Sequence, residues 1–128
     1  MILGIGTDLC DVGRIQLALD RHGDRFAQRV LAGVELERLV GHRRPAHFIA
    51  KRFAAKEALS KALGTGIRAP VNWHNIEVRN NRAGQPFVAP SERLRALLDE
   101  RGITTIHLSL TDEHSMACAC VVLEGLPR

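Results

Sequence analysis

Residues 52–66 read Arg-Phe-Ala-Ala-Lys-Glu-Ala-Leu-Ser-Lys-Ala-Leu-Gly-Thr-Gly. Alanine, leucine and long charged side chains, followed by glycine, mark a helix interior and its stop. Upstream, Pro45 suits the first turn of the same helix, which is expected to run through Phe48, Phe53, Leu59 and Leu63 to Gly64. Glu57 and Lys61 lie one turn apart and share a face. Arg52, Lys56 and Lys61 are expected to ring that carboxylate with positive charge.

The elements around this helix divide the chain in two. Before it, Ile2–Thr7 reads as a buried strand whose glycines admit another backbone, closed by Asp8. Asp11 is placed to cap a helix carrying Arg14, Ile15, Ala18 and Leu19 and stopped at His22-Gly23. Asp24 is expected to cap a short helix with Phe26, Val30 and Leu31 inward, and a further helical piece spans Val34–Val40. After it, Trp73–Arg79 and Gln85–Ala89 read as strands about the polar turn Asn80–Gly84. Ser91 caps a helix with Leu94, Leu97 and Leu98, ended by Gly102. Thr104–Leu110 and Met116–Leu123 are strands joined by a polar loop, Thr111–Ser115. Helices in one half and strands in the other predict an α+β fold, with an antiparallel sheet packed on the long central helix and shorter helices. No linker interrupts the chain, so residues 1–128 read as one domain.

Bulk properties narrow the function classes. The 128 residues are 45% hydrophobic, which excludes a disordered chain. A formal charge of +4 favours an anionic substrate or partner. Aromatic content is only 4%, with no tyrosine, which argues against a base-stacking nucleic-acid surface. Three cysteines do not form a disulfide framework and fit a reducing cytoplasm. No apolar run reaches membrane-spanning length, and the start lacks a signal-peptide pattern.

Several side-chain sets bear on chemistry. Asp8 and Glu57, if the fold joins them, supply two hard oxygen ligands for a divalent cation such as Mg²⁺ beside cations suited to phosphate. From spacing alone, a Glu57–Lys61 pair on a solvated face, with Asp8 capping a turn, explains the same residues. Gly64-Thr65-Gly66 is either an anion-binding nest or a plain helix C-cap, and it lacks the Walker ending. Arg14, Arg21, Arg25 and Arg29 form a basic strip if the first two helices are continuous, fit either for an acidic partner or for solvent. The six histidines show no zinc spacing. Cys118 and Cys120 read as small core residues, and Cys10 has no evident catalytic partner.

Four blocks in order carry a resemblance: GIGTDLCDVGRI (4–15), RFAAKEALSKALGTGI (52–67), IEVRNNRAGQP (76–86) and HLSLTDEHSMACACVVLE (107–124). Together they resemble the holo-(acyl-carrier-protein) synthases, a family of 4′-phosphopantetheinyl transferases. The resemblance implies transfer of the phosphopantetheine arm of coenzyme A to a serine of apo acyl-carrier protein, with release of adenosine 3′,5′-bisphosphate. It implies Asp8 and Glu57 as magnesium ligands and Lys61 beside the coenzyme A pyrophosphate, with Glu57 and Lys61 the catalytic pair. Arg52 and His107 fall at positions associated with the 3′-phosphate, while Gly64 and the Gly84-Gln85-Pro86 turn line the nucleotide. The resemblance further implies that Arg14, Arg21 and Arg25 receive the acidic recognition helix of the carrier protein, and the family is typically a homotrimer with sites between subunits. The chain departs from many members at Asp112, where histidine is common, which shifts the 3′-phosphate contact toward His107 or Arg52. The reading from another class is a non-catalytic basic module that binds an acidic protein or nucleic acid.

Overall fold

The computed structural model describes residues 1–128. In chain order the elements are β1 (Ile2–Asp11), α1 (Val12–His22), α2 (Asp24–Val30), α3 (Gly33–Leu39), α4 (Pro45–Leu63), β2 (Ile76–Asn80), β3 (Pro86–Pro90), α5 (Glu92–Glu100), β4 (Ile103–Glu113) and β5 (Met116–Gly125). The architecture is α+β, as expected. β1, β5 and β4 form one antiparallel sheet in that order, and β2–β3 is a separate hairpin. No helix is long and apolar enough to cross a membrane.

The helix α4 has no amphipathic stripe because it is covered on most sides. Ile49, Ala50, Ala54, Ala55, Ala58 and Leu59 are all fully buried. Its alanines leave room for β1, which approaches with Gly6 against the Ala58 carbonyl and Gly4 against the Ala62 carbonyl. A Cβ on either glycine would collide with helix backbone, which cannot move aside as a flexible side chain could. The core face of β5 continues the packing with Ala117, Ala119, Val121 and Leu123, while its alternate residues point away.

Several local expectations hold and others are corrected. Asp11 caps α1 by accepting from Gly13 N at 2.7 Å, and Ser91 caps α5 by accepting from Leu94 N at 3.2 Å. Pro45 opens α4, and Gly64 ends it in the left-handed region at φ 74°. Asp24, in contrast, is the first residue of α2 and Gly23 stands at the cap, because the turn needs φ 54°. β1 continues past Thr7 to Asp11, so Asp8 sits mid-strand opposite Ala119 rather than at a strand end. The expected Thr111–Ser115 loop is mostly strand: Glu113 pairs with Met116, leaving His114 and Ser115 as the hairpin turn. Trp73 precedes β2 and stacks on Phe53 with ring centroids 4.9 Å apart. Cys118 and Cys120 fall on the outer, half-buried face of β5, since the strand's period of two puts Ala117 and Ala119 on the core side.

A buried charge cluster ties the helical half to the hairpin. Glu35, at the third position of α3, accepts from Ala32 N at 2.8 Å and from Lys56 Nζ at 2.6 Å through Oε1. Its Oε2 accepts from Val78 N at 3.0 Å. Lys56 spends its other two protons on the carbonyls of Val30 (2.6 Å) and Trp73 (2.8 Å). Both side chains are wholly shielded from solvent. Burial pushes the Lys56 ammonium down from its ordinary value while Glu35 opposes that shift. The complete set of partners is what makes such a burial tolerable.

Two stability outcomes follow from this packing. Gly6→Ala should lower stability by about 1–3 kcal/mol in urea unfolding, the scale of overpacking a rigid contact. Glu35→Gln should cost about 3–5 kcal/mol by leaving the Lys56 charge uncompensated, and pairing Glu35→Leu with Lys56→Met should recover much of the loss.

Candidate active site

The alternation along β1 places Gly4, Gly6, Asp8 and Cys10 on one face, and the two glycines set that face against α4. Asp8 therefore projects toward the helix turn that carries Glu57 and Lys61. Lys61 Nζ donates to Asp8 Oδ1 and to the Thr7 carbonyl, both at 3.0 Å. The Asp8 side chain is 15% exposed and that of Lys61 52%, so the pair sits at the protein–water boundary. Thr7, Asp8, Leu9, Lys61 and Cys118 line an open cavity of about 520 Å³ there.

The electrostatics bring Glu57 into the same site. Burial and the Asp8 charge hold the Glu57 carboxyl above its ordinary range, against the opposing pull of Lys61. The Cys10 thiol is pushed up to about 11, by burial first and then by Asp8. It is a neutral, buried thiol and a poor nucleophile. Asp8 pairs with the exposed Lys61, and Glu57 stands one helical turn before Lys61 on the same face, so the two carboxylates outnumber the one cation there. No group of three or more His, Cys, Asp or Glu side chains gathers anywhere in the chain to hold a metal by itself. The donors fit magnesium, which often takes one or two carboxylates and completes its shell with phosphate and water.

The expected ring of cations around Glu57 is corrected. Lys56 turns inward to Glu35, and Arg52 turns the same way, with Nε 3.9 Å from Glu35 Oε2. Only Lys61 acts on Glu57. The reason is angular: residues 52 and 56 lie on a different side of α4 from residues 57 and 61. Arg52 is 4% exposed, its Cζ lies 3.8 Å from the Phe48 ring centroid, and its Nη2 donates to Asn80 Oδ1 at 3.0 Å. Its Nε is the one buried side-chain donor of the chain without a partner. Burial lowers the guanidinium to about 10, which leaves it charged at neutral pH.

The remaining sequence-derived residues sit apart within one chain. Gly64 closes α4, its N–H bonded to Lys61 O, while Arg101 donates to Leu63 O at 2.7 Å. Gln85 and Pro86 lie on the β2–β3 hairpin, with Pro86 opposite Asn80. His107 is on the outer face of β4, 2.9 Å from Glu124, far from the helix-facing side that holds Asp8. Arg14, Arg21 and Arg25 are exposed on α1 and α2, but Gly23 breaks the two helices, so no single helical strip exists. Arg25 and Arg29 instead join His22 and Phe26 around a cavity of about 250 Å³. Asp112 has a cation beside it, Lys51 Nζ at 3.7 Å, so its charge is partly balanced.

Sequence reasoning missed Glu35 and Asn80. Glu35 three residues after Ala32 is a helix-start signal, but nothing local says that its second oxygen reaches β2. Asn80 was read only as turn residue, and its link to Arg52 spans 28 positions.

Comparison with known proteins places this geometry. Residues 4–121 match the family model of the 4′-phosphopantetheinyl transferase superfamily. The holo-[acyl-carrier-protein] synthase of Nitrosomonas europaea is 52% identical over 124 residues, covering 97% of this chain and 99% of that protein. The Serratia proteamaculans enzyme of the same name is 46% identical, covering 97% and 98%. Among solved structures, the Neisseria meningitidis holo-[acyl-carrier-protein] synthase superposes with a TM-score of 0.94 at 41% identity, covering 97% of this chain and 99% of that one. The Bacillus anthracis synthase, solved in complex with CoA (3′,5′-ADP), gives 0.83 at 39% identity, covering 98% and 99%. With the fold and this near full-length similarity in agreement, the chain belongs to the 4′-phosphopantetheinyl transferase superfamily.

Proposed function

We propose that this protein is a magnesium-dependent holo-(acyl-carrier-protein) synthase, which moves the 4′-phosphopantetheine arm of coenzyme A to a serine of apo acyl-carrier protein. The observation that carries this reading is the Asp8–Lys61 ion pair at the β1–α4 contact, one helical turn from Glu57 on the same face of α4. Residues 1–128 act as one transferase domain. Asp8 and Glu57 would hold the divalent ion, which would supply charge neutralisation at the pyrophosphate.

The residues of this chain do the rest. Lys61 leaves its Asp8 contact to meet the pyrophosphate oxygens, a short movement for a long, half-exposed side chain. The serine oxygen forms a bond to the β-phosphorus as the bond to the bridging oxygen breaks. The electron pair leaves with adenosine 3′,5′-bisphosphate, and Lys61 offsets the charge that develops there. Glu57, on the face of α4 that meets β1, is the group assigned to take up the serine proton. Arg52 and His107 take the 3′-phosphate, while Gly64, Gln85 and Pro86 line the nucleotide.

The exposed arginines 14, 21 and 25 fit an acidic helix of the carrier protein better than nucleic acid, since the chain offers few aromatic rings for stacking. Ile5 and Leu9 are 64% and 65% exposed on the outer face of β1. Beside them lie Met116, Cys118, Cys120 and Val122 of β5. A sheet face of this composition supports assembly with further copies of the chain, as a homotrimer in which His107 serves a neighbour's site. Free thiols on that face fit a cytoplasmic location and a role in fatty-acid synthesis there.

Four measurements test the reading. Mass spectrometry of apo acyl-carrier protein after incubation with Mg²⁺ and coenzyme A should show a phosphopantetheine adduct. Its absence with every divalent ion tried would leave the binding-module reading in place. Asp8→Ala or Glu57→Ala should each reduce transfer by about a hundredfold or more, the scale of losing a charge-stabilising group. Without metal, the raised Glu57 carboxyl weakens the fold as pH climbs from the unfolded carboxylate value through the higher folded one. Glu57→Gln in chelator should therefore raise the melting temperature at neutral pH and abolish its increase with added Mg²⁺. Charge reversal at Arg14, Arg21 or Arg25 should raise the carrier KM steeply and leave the coenzyme A KM unchanged.

A further inference from the structure

The β2–β3 turn is an exposed loop held mainly by its own bonds. Asn81 N donates to Gln85 O, Gly84 N to Asn81 O, and Gln85 N to Asn81 Oδ1, each at 2.9 Å. Its last ladder position pairs Asn80 with Pro86 at a non-hydrogen-bonded site, so neither backbone N–H is called on there. The Asn80 side chain ties the turn to its surroundings. Its Nδ2 donates to Gly84 O at 3.0 Å, while its Oδ1 accepts from Arg52 Nη2 at 3.0 Å. Only one orientation of the amide serves a carbonyl on one side and a guanidinium on the other, so both neighbours select the same rotamer.

Arg52 is equally constrained. The Phe48 ring covers one face of the guanidinium, and Glu35 lies off its Nε edge. Glu35 also binds Val78 N, two residues before Asn80 in the same strand. The strand is thus fastened to α3 at Val78 and to α4 at Asn80. We propose that Asn80 is a positioning residue, which couples the Arg52 cation to the Asn81–Gln85 turn so that both meet the 3′-phosphoadenosine end of coenzyme A as one preorganised unit. This rests on the assignment of Arg52, Gln85 and Pro86 to the nucleotide made above. Asn80 acts through its neighbours and need not touch the substrate.

The test combines a readout that needs no activity with one that does. In Asn80→Leu, amide exchange at Asn81, Gly84 and Gln85 should accelerate about tenfold or more, as expected when a turn loses its anchor. The KM for coenzyme A should rise about tenfold with kcat nearly unchanged, the scale of one lost hydrogen bond to a charged group, while the KM for 3′-dephospho-coenzyme A rises far less. In an Arg52→Leu background the same change should add little to the coenzyme A KM, because the partner it positions is already gone. Asn80→Ala repeats the series without added bulk, should leucine not be accommodated. Unchanged amide exchange overturns the proposal, as do equal KM increases for the two nucleotides or full additivity with Arg52→Leu. A wild-type protein that transfers nothing would instead sink the enzymatic reading, and amide exchange would still decide the coupling.

Discussion

The contact between β1 and α4, with nothing but glycine hydrogens on the strand side, is the constraint from which the site follows. A strand and a helix normally meet through a layer of side chains, and that layer sets their separation. Here Gly4 and Gly6 remove it, and the strand backbone reaches the carbonyls of Ala58 and Ala62. Two residues further on, the same face presents Asp8, now within reach of Lys61 and of Glu57's field. Larger residues at 4 and 6 would keep the fold class and lose this juxtaposition. Alanine density on α4 is the matching half of the arrangement, since bulky residues at 54, 55 and 58 would hold the strand off equally well.

The helix thereby works on two sides. Toward β1 it offers Glu57 and Lys61 at a half-exposed edge, where a cation and a phosphate can enter. Toward α3 and β2 it buries Arg52 and Lys56 around Glu35. The second side gives rigidity to the first. Glu35 accepts from two elements and from Lys56, so α3, α4 and β2 are bound at one carboxylate. A buried ion pair is weak evidence for net stability, because dehydration offsets the attraction. Its contribution here is registry: it fixes which residues of β2 face α4.

How much of this was legible in the sequence depends on the range of the interaction. The long helix, its proline start and its glycine stop were readable because capping and propensity are local. So were Asp11 and Ser91 as caps. The faces of β5 were not: alternation shows that Cys118 and Cys120 share a side but leaves open which side meets the core. The division of α4's cations was partly readable from helical angles. Its outcome needed Glu35, whose reach to Lys56 crosses 21 positions and whose identity as a partner no local pattern records. The contact of Asp8 with the α4 turn that carries Glu57 and Lys61 was out of reach of spacing altogether. It became a firm expectation only through resemblance of whole blocks, which carry tertiary information that composition lacks.

The proposed site is assembled from parts that do not touch within one chain. Asp8, Glu57 and Lys61 are joined by the glycine contact, and Arg52 and the hairpin by Asn80, yet His107 stands on the opposite face of the sheet. A substrate with a pyrophosphate at one end of its nucleotide and a 3′-phosphate at the other needs two anion sites held at a fixed separation. One stiff helix bearing Glu57 and Lys61 on one side and Arg52 an earlier turn on another provides that spacing without any flexible link. In the proposed homotrimer a second copy would supply the third contact from the face that the chain leaves uncovered, and would cover the exposed Ile5 and Leu9 in the same act. The proposed assembly and the proposed substrate recognition then share one origin, a sheet that has a helix on only one side.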